Sequence, residues 1–192
     1  GESTDYTLIF DLYVQSTTQT FSALYQSDVS NGGDAEAYLR NNADGTFGLG
    51  INGDYDGAIA YDAWTRLALT FETDGDGVQT LAKYADGVLL DTQVVDADVS
   101  DGSRWTLDGD AGVLLFTDGG GFSSDLYANA LHFVEGALSE SEIAALGGAD
   151  ADGPIEAAAA GPDAVLLSFD GALDAGHYGA ATVELAQLGE VG

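Results

Sequence analysis

Carboxylates dominate the chemistry available to this chain. The 192-residue sequence contains 33 Asp and Glu against four Lys and Arg, which gives a formal net charge of −29. Ca²⁺ takes about six to eight oxygen ligands, many of them carboxylates, so calcium binding is the first chemical hypothesis. The competing interpretation is a solvated acidic surface suited to salty water, where charges are screened within about 3 Å near 1 M salt.

The densest acidic segment, Glu72-Thr73-Asp74-Gly75-Asp76, fits neither of two common carboxylate arrangements. An EF-hand frame that starts at Glu72 puts Lys83 where the bidentate Glu belongs. A glycoside hydrolase needs two carboxylates at a defined separation across the scissile bond. The glycines in and after this segment predict a solvated hairpin turn instead, and no Glu follows at a suitable offset. A hydrolase is therefore the disfavoured alternative.

One aromatic residue lies among polar residues that suit sugar recognition. Tyr55 stands within Asn52-Gly53-Asp54-Tyr55-Asp56-Gly57, near the edge of a predicted strand. Its ring could stack on a sugar face. The neighbouring residues that could hydrogen-bond to sugar hydroxyls are Asn52, Asp54 and Asp56. Three other aromatic residues near strand edges are weaker candidates: Tyr61, Trp64 and Trp105.

Several other classes of chemistry lack the residues they need. The chain has no Cys, which excludes disulfides, thiolate metal sites and cysteine nucleophiles. His132 and His177 are isolated, and no Ser has an activating context, so nothing supports a catalytic triad. The net charge of −29 repels nucleic acid and anionic membranes. The apolar runs are far shorter than the roughly 20 residues of a membrane helix, so we also expect no membrane insertion.

Short strands of alternating polarity must position these residues. Apolar residues occupy every second position of Tyr6–Val14, with Asp11 on the opposite face, and Trp64–Glu72 repeats the pattern. Asp86-Gly87 predicts a hairpin within Thr80–Gln93. Five shorter strands are predicted at Phe21–Gln26, Glu36–Arg40, Phe47–Ile51, Val113–Thr117 and Tyr127–Val134. Many short strands separated by Gly and Asp turns predict an all-β fold, an antiparallel β-sandwich.

One short helix is predicted after the last of these strands. Ser139 and Glu142 form a capping box, in which each side chain accepts the backbone amide of the other residue. Gly147-Gly148 then ends the helix.

The scarce arginines are expected to act structurally. Arg66 lies in a predicted strand beside Trp64, and Arg104 precedes Trp105. Among so many acidic residues, we expect a strand arginine of this kind to donate a charge-assisted hydrogen bond to a nearby carboxylate.

Three segments are predicted along the chain. Residues 1–148 form the sandwich, and residues 149–162, rich in Ala, Gly, Asp and Pro without periodicity, form a linker. Residues 163–192 contain two further strand-like runs, at Val165–Phe169 and Thr182–Leu185. Because this last segment is too short to fold alone, it either completes the sandwich or begins a second repeat.

The order of these motifs resembles the bacterial laminin-G-like, pentraxin-related branch of the concanavalin A-like lectin/glucanase superfamily. The segments that carry the resemblance are Tyr6–Leu12, Ala23–Asp28, Gly48–Ile51, Trp64–Ala68, Lys83–Gly87, Leu115–Asp118 and Ala137–Ile143. The last segment, Ala-Leu-Ser-x-x-Glu-Ile after a final strand, is the most specific. The resemblance covers about residues 5–148 and implies a jelly roll of two antiparallel sheets.

The resemblance also implies a metal site. In such domains, the loop after the Ala-Leu-Tyr-Gln strand and the loop after the Leu-Leu-Phe-Thr strand converge on Ca²⁺ at one rim. The residues of this chain that these loops offer are Asp28, Asn31, Asp34, Asp118 and Asp125. The alternative is that Asp28 and Asn31 only stabilise turns through side-chain-to-backbone hydrogen bonds.

The function implied by the resemblance is non-catalytic recognition. We expect calcium-assisted binding of a glycan or a partner protein by one module of a larger secreted bacterial protein, outside the cell or on its surface. A structural spacer in an adhesin-like array is the alternative from the structural class. Fold likeness alone does not decide between them.

Overall fold

The computed structural model describes residues 2–27, 29, 35–94, 104–108, 112–123, 125–149, 165–168 and 181–183. Within these residues the chain forms strands and one helix. The strands are β1 (Glu2–Ser3), β2 (Tyr6–Val14), β3 (Phe21–Gln26), β4 (Ala37–Asn41), β5 (Thr46–Ile51), β6 (Asp54–Ala60), β7 (Trp64–Thr73), β8 (Gln79–Ala85), β9 (Val88–Val94), β10 (Leu107–Asp108), β11 (Val113–Leu115), β12 (Leu126–Glu135), β13 (Val165–Ser168) and β14 (Ala181–Val183). The helix, α1, spans Glu140–Leu146.

The described strands form two antiparallel sheets packed face to face. Sheet I has the order β14-β11-β3-β4-β5-β6, and sheet II has the order β13-β12-β2-β7-β8-β9. The short strands β1 and β10 pair separately. The largest side chains buried between the layers include Tyr6, Phe10, Phe47, Phe71 and Trp105. This architecture confirms the predicted antiparallel β-sandwich with a single short helix.

Strand β2 shows how the alternating sequence pattern becomes two packed faces. Its even residues, such as Leu8 and Phe10, enter the core between the sheets. Ile9 lies on the opposite face and packs with Ile143 of α1 in a second, smaller cluster. Because α1 covers this outer face of sheet II, β2 is almost entirely buried despite its alternating polarity.

Local chemistry defines both ends of α1 as predicted. The Ser139 amide donates to Glu142 Oε2 at 2.8 Å, and the Glu142 amide donates to Ser139 Oγ at 3.3 Å, which completes the capping box. The helix ends at Gly147, whose φ of 62° lies in the left-handed region that glycine tolerates best.

The β8–β9 hairpin also confirms its sequence signal. Asp86 and Gly87 form the turn with φ values of 48° and 80°, as the primed turns of two-residue hairpins require. Strand β6, in contrast, was not predicted, because Asp54–Ala60 lacks an alternating apolar pattern. It forms by pairing with β5.

The two strands of the C-terminal segment pair with the sandwich in this structure. Strand β13 lies antiparallel to β12 at the edge of sheet II, and β14 lies antiparallel to β11 at the edge of sheet I. The predicted division of the chain into a sandwich, a linker and an appendage stays a prediction. Within the described part of the chain, no helix has the length and apolar character needed to cross a membrane.

Candidate functional site

The outer face of sheet I carries a group of aromatic side chains that we call the aromatic surface. Strands β3, β4 and β6 contribute Phe21, Tyr38 and Tyr55, and the loop after β11 contributes Phe122. The guanidinium of Arg40, also on β4, lies 5.7 Å from the centroid of the Tyr55 ring. Leu39 alternates with Tyr38 and Arg40, and Leu49 with Gly48 and Gly50, so strand alternation puts the rings on the opposite face from these two leucines. Tyr38 is nevertheless buried, and Phe21 and Tyr55 pack against the same core cluster.

The four rings contact one another across several strands. The ring centroid of Phe21 lies 5.4 Å from Tyr55, 6.2 Å from Tyr38 and 6.5 Å from Phe122. The rings of Tyr38 and Phe122 meet edge to face at 6.2 Å. Such separations are typical of interacting aromatic pairs, so the rings support one another as one surface.

Two glycines of β5 make this arrangement possible. Gly48 and Gly50 share the outer face with Tyr55 and lie between the strands that carry the rings. A Cβ atom at Gly50 would lie 1.8 Å from the carbonyl oxygen of Asp54, and one at Gly48 would lie 3.2 Å from that of Tyr55. Because neither glycine has a side chain, β6 approaches β5 closely and the ring of Tyr55 reaches Phe21.

Part of the aromatic surface is open to solvent. Phe122 retains 41% of its exposure, Arg40 is exposed, and Phe21 and Tyr55 are half-buried. Burial raises the pKa of Tyr55 above its ordinary value, so its hydroxyl stays protonated near neutral pH. This surface therefore offers apolar ring faces, a phenolic hydroxyl and a cation on the side of the sandwich that no described helix covers.

Asp118, one of the predicted calcium ligands, holds the loop that presents Phe122. It is fully buried, and its Oδ1 accepts the amides of Gly120, Gly121 and Phe122 at 2.7, 2.9 and 3.1 Å. Its Oδ2 accepts a longer hydrogen bond, 3.4 Å, from the hydroxyl of Tyr38. The carboxylate thus stabilises a turn and links it to β4.

Of the other predicted calcium ligands, the structure describes only Asp125. Asp125 is exposed, and its backbone carbonyl accepts the amide of Gln15. Asp28, Asn31 and Asp34 lie outside the described residues. Whether these loops hold Ca²⁺ stays a prediction. Since one oxygen of Asp118 is already occupied by three amides, the ion would have to bind through the other oxygen.

A different group of carboxylates lies at the open edge of the sandwich, between β6 and β9. Carboxylate oxygens of Asp54, Asp56 and Asp91 all lie within 4.8 Å of one another. The fully buried ammonium of Lys83 contacts Asp56 and lies 3.5 Å from Asp54. Burial and the hydrogen bond with Asp56 raise the pKa of Asp54, while Lys83 lowers it. Three carboxylates against one ammonium leave negative charge that could hold an additional cation.

The carboxylates of Asp54, Asp56 and Asp91, which we call the edge group, change the interpretation of the predicted sugar-binding residues. Successive residues of a strand point to opposite faces, so Asp54 and Asp56 point toward Lys83 while Tyr55 points outward. Asn52 is exposed in the preceding turn with φ of 53°. The two carboxylates therefore do not surround the ring of Tyr55. The rings that form a group with Tyr55 are those of Phe21, Tyr38 and Phe122, and the sequence analysis singled out none of these three.

The remaining aromatic candidates are explained by packing. Trp105 is fully buried and its indole N–H donates to the carbonyl of Glu36 at 3.3 Å, so it cannot stack on a ligand. Trp64 meets the ring of Tyr13 edge to face. Tyr61 packs against Phe47 at a centroid separation of 5.1 Å.

The outer face of sheet II is closed by an ion pair beneath α1. The guanidinium of Arg66 donates to both carboxylate oxygens of Asp11 at 2.7 Å and to the carbonyl of Leu146 at 2.6 Å. This confirms the expected charge-assisted hydrogen bond of Arg66. The half-buried Arg104 donates to the carbonyl of Ala35 at 3.2 Å.

Two further titratable side chains are buried: Glu36 beside sheet I and His132 in sheet II. Glu36, just before β4, accepts the amide of Ser27 at 2.7 Å, and burial raises its pKa to about 7, against the lowering effects of Ser27 and Arg104. His132 on β12 is fully buried, and its ring nitrogens have no hydrogen-bond partner among the described residues. Burial lowers the pKa of His132.

Comparisons with known proteins bear on this geometry through the fold alone. No protein-family model matches the sequence, and no curated protein is significantly similar to it. The native heptameric SAP-like pentraxin from Limulus polyphemus matches with a TM-score of 0.53 and 17% identity, over 74% of this chain and 69% of that chain. The chain has a pentraxin-like jelly-roll fold.

Two further matches come from sialidases. The CBM40 of the Ruminococcus gnavus IT-sialidase, bound to α2,3-sialyllactose, matches this jelly roll with a TM-score of 0.52 and 16% identity, over 77% of this chain and 84% of that chain. The Trypanosoma rangeli sialidase matches with a TM-score of 0.49 and 16% identity, over 74% of this chain and 22% of that chain. The jelly roll implied by the order of the sequence motifs is confirmed.

Proposed function

We propose that this jelly roll is a non-catalytic module that recognises a glycan on its aromatic surface. The observation that carries the proposal is the group of four rings, linked through Phe21, on the outer face of sheet I, which no helix among the described residues covers. A carbohydrate-binding module complexed with sialyllactose has the same fold, which supports a sugar ligand.

The chemistry of the aromatic surface suits a sugar. Aromatic faces bury the C–H side of a sugar ring, while hydroxyls and charged groups beside them fix its orientation. Here Phe122 offers an exposed ring, Tyr55 a protonated hydroxyl, and Arg40 hydrogen-bond donors. Because the rings already contact one another, few side chains need to be ordered on binding, which limits the entropic cost.

A non-catalytic role is supported by the positions and the hydrogen bonds of the carboxylates that the sequence analysis singled out. Asp74 accepts the amides of Asp76 and Val78 at 2.9 Å within the β7–β8 turn, as the hairpin interpretation predicts. The edge carboxylates Asp54 and Asp56 are paired with Lys83. None of these residues belongs to the aromatic surface, where a bound sugar would lie.

The proposal extends to calcium and to location. Ca²⁺ bound by the rim loops would stabilise the segment next to Asp118 and thereby Phe122. The edge group of Asp54, Asp56 and Asp91 is a second place where a cation could bind. We further propose that the module acts outside the cell or on its surface, as part of a larger chain, with its acidic surface exposed to solvent.

A glycan array probed with the 192-residue chain tests the function. We expect binding to a subset of glycans, and an affinity for them reduced about tenfold or more in Tyr55→Ala and in Phe122→Ala. Tyr127→Ala is the matched control, because Tyr127 is also a half-buried tyrosine but lies on β12. Equal losses in all three variants, or no glycan bound by the wild type, would refute the proposal.

Thermal unfolding at fixed ionic strength tests calcium assistance. Ca²⁺ at about 100 times its dissociation constant adds roughly 2.7 kcal/mol to the free energy of unfolding. We expect a rise in Tm with Ca²⁺ that Mg²⁺ does not reproduce. Asp91→Asn separates the two locations, with the exposed Asp76→Asn as control: loss of the rise only in Asp91→Asn assigns it to the edge group. No rise would remove calcium from the account.

A further inference from the structure

We propose that the glycan recognised on the aromatic surface carries a carboxylate that Arg40 binds through both arms of its guanidinium. This inference rests on the proposed function and names the class of sugar within it: an acidic glycan with a single carboxylate near the ring that stacks, such as a sialic or uronic acid residue, rather than a polyanionic chain.

The first support is the way the chain uses its four basic residues. Arg66 is paired with Asp11 beneath α1, and Lys83 is paired with two carboxylates at the sandwich edge. Arg104 is half-buried and donates to a backbone carbonyl. Arg40 alone is exposed, and it lies in the middle of the aromatic surface.

The second support is that Arg40 has no ion-pair or hydrogen-bond partner among the described residues. In a protein with 33 acidic residues, none of the described carboxylates lies within 4.0 Å of its guanidinium. Within the part of the chain that the structure describes, the guanidinium also makes no hydrogen bond. An exposed arginine surrounded by so much negative charge would be expected to find a partner on its own chain. Among the described residues its donors have no such partner, which leaves them available to a ligand in the part of the structure that is described.

The third support is that Arg40 is already oriented. Its guanidinium lies over the ring of Tyr55 at 5.7 Å from the centroid, within the range of a cation–π interaction. Such stacking restrains the planar group while leaving its N–H edge free. That edge matches the two oxygens of a carboxylate and gives two parallel charge-assisted hydrogen bonds. A sugar stacked beside Tyr55 would bring its carboxylate within reach of that edge.

The net charge of the protein further narrows the class of acidic glycan, to glycans that carry few negative charges. A net charge of −29 repels anions at long range, and the repulsion grows with every negative charge on the ligand. Salt at physiological strength screens it beyond about 8 Å, so a single carboxylate can still reach Arg40. A heavily sulfated chain would meet the repulsion at many points and gain only one arginine contact.

The test compares acidic glycans with their neutral parents on the 192-residue chain. The probes are α2,3-sialyllactose with lactose, and a uronic-acid oligosaccharide with its carboxyl-reduced form. We expect the wild type to bind the acidic member of a pair at least tenfold more tightly. Arg40→Gln should abolish that preference, because it weakens the binding of the acidic member at least tenfold more than that of its neutral parent. Arg40→Lys should retain part of it, since lysine keeps the charge but not the fork.

The possible failures are distinguishable. Equal binding of acidic and neutral members by the wild type, equal weakening of both in Arg40→Gln, or a preference for multiply sulfated chains overturns this inference and leaves glycan recognition intact. Absence of binding to every glycan overturns the proposed function as well. Because Arg40 is exposed, a Tm unchanged in Arg40→Gln shows that the fold is not the cause of a lost preference.

Discussion

The outer faces of the two sheets differ in how they use their charged and aromatic residues. On sheet II, α1 covers Ile9 and Ala68, and Arg66 and Asp11 neutralise each other beneath it. On sheet I, no described helix covers the corresponding face, and three of the four rings remain at least partly exposed, while Tyr38 is buried. Arg40 has no carboxylate partner among the described residues. Arg66 helps to bury the outer face of sheet II, whereas Arg40 is the arginine that we propose to bind the ligand.

The exposed rings of sheet I are informative about binding because they can be compared with the outer face of sheet II. There the apolar side chains are covered. Both faces of the sandwich have apolar residues that the fold has to protect from water. Sheet II buries them under an amphipathic helix, which fixes them as part of the core. Sheet I instead keeps a group of four rings of which Phe122 is exposed and Phe21 and Tyr55 are half-buried, and apolar side chains that stay exposed together can mark a binding site.

The largest expected effect is on the covered face. Arg66→Met should lower the free energy of unfolding by about 3–5 kcal/mol, because it leaves the buried carboxylate of Asp11 without its partner. Tm should fall by roughly 10 °C for a domain of this size. Chemical denaturation of the wild type and the variant measures the difference.

The control for this prediction is the double variant Asp11→Leu with Arg66→Met. Removing both charges should recover much of the lost stability, since a buried pair is often replaceable by apolar residues. Glycan binding below the transition should be unchanged in both variants. A loss below about 1 kcal/mol in the single variant would show that the ion pair does not hold the covered face.

Raising the pH should destabilise the protein through Glu36, beside sheet I. Its folded pKa of about 7 lies above the ordinary value of 4.5, so the folded state favours the protonated form. Stability from this group is full below pH 4.5 and declines as pH rises to 7, by at most roughly 3 kcal/mol. Glu36→Gln should therefore be more stable than the wild type at pH 8 and similar at pH 4. Parallel curves at all pH values would contradict this.

Lowering the pH should destabilise the protein through His132, in sheet II. Burial lowers its folded pKa, so the unfolded state binds the proton more readily, and stability declines as pH falls below about 6.5. His132→Leu should remove this decline, which we expect to be the smallest of the three effects. If the decline between pH 6.5 and 5 is identical in wild type and variant, His132 is not its source.

Much of the fold could be predicted from local sequence. Strands β2 and β7 alternate because one face enters the core, and the capping box of Ser139 and Glu142 defines the start of α1 through two hydrogen bonds. Strand β6 could not be predicted in this way. Two of its inward positions, Asp54 and Asp56, are acidic rather than apolar, and they are stabilised by Lys83 from a strand distant in sequence.

The candidate site was only partly visible in the sequence. Tyr55 was singled out by its polar neighbours, whereas Phe21 and Tyr38 looked like ordinary strand residues. The signal that could have revealed them is the alternation Gly48-Leu49-Gly50, which leaves one face of a strand without side chains. Asp118 holds Phe122 in a local turn. The contacts of the Phe122 ring with Phe21 and Tyr38 are long-range, and no sequence pattern indicates them.

The most direct test of the account maps a bound glycan onto the two faces. Amide chemical shifts of the ¹⁵N-labelled chain should be followed during titration with a glycan selected from the array. We predict that the perturbations concentrate at Phe21, Tyr38, Arg40, Tyr55 and Phe122, and spare β2, β7 and α1. Perturbations centred on α1 or on the outer face of sheet II would contradict the claim that the uncovered aromatic surface is the binding face.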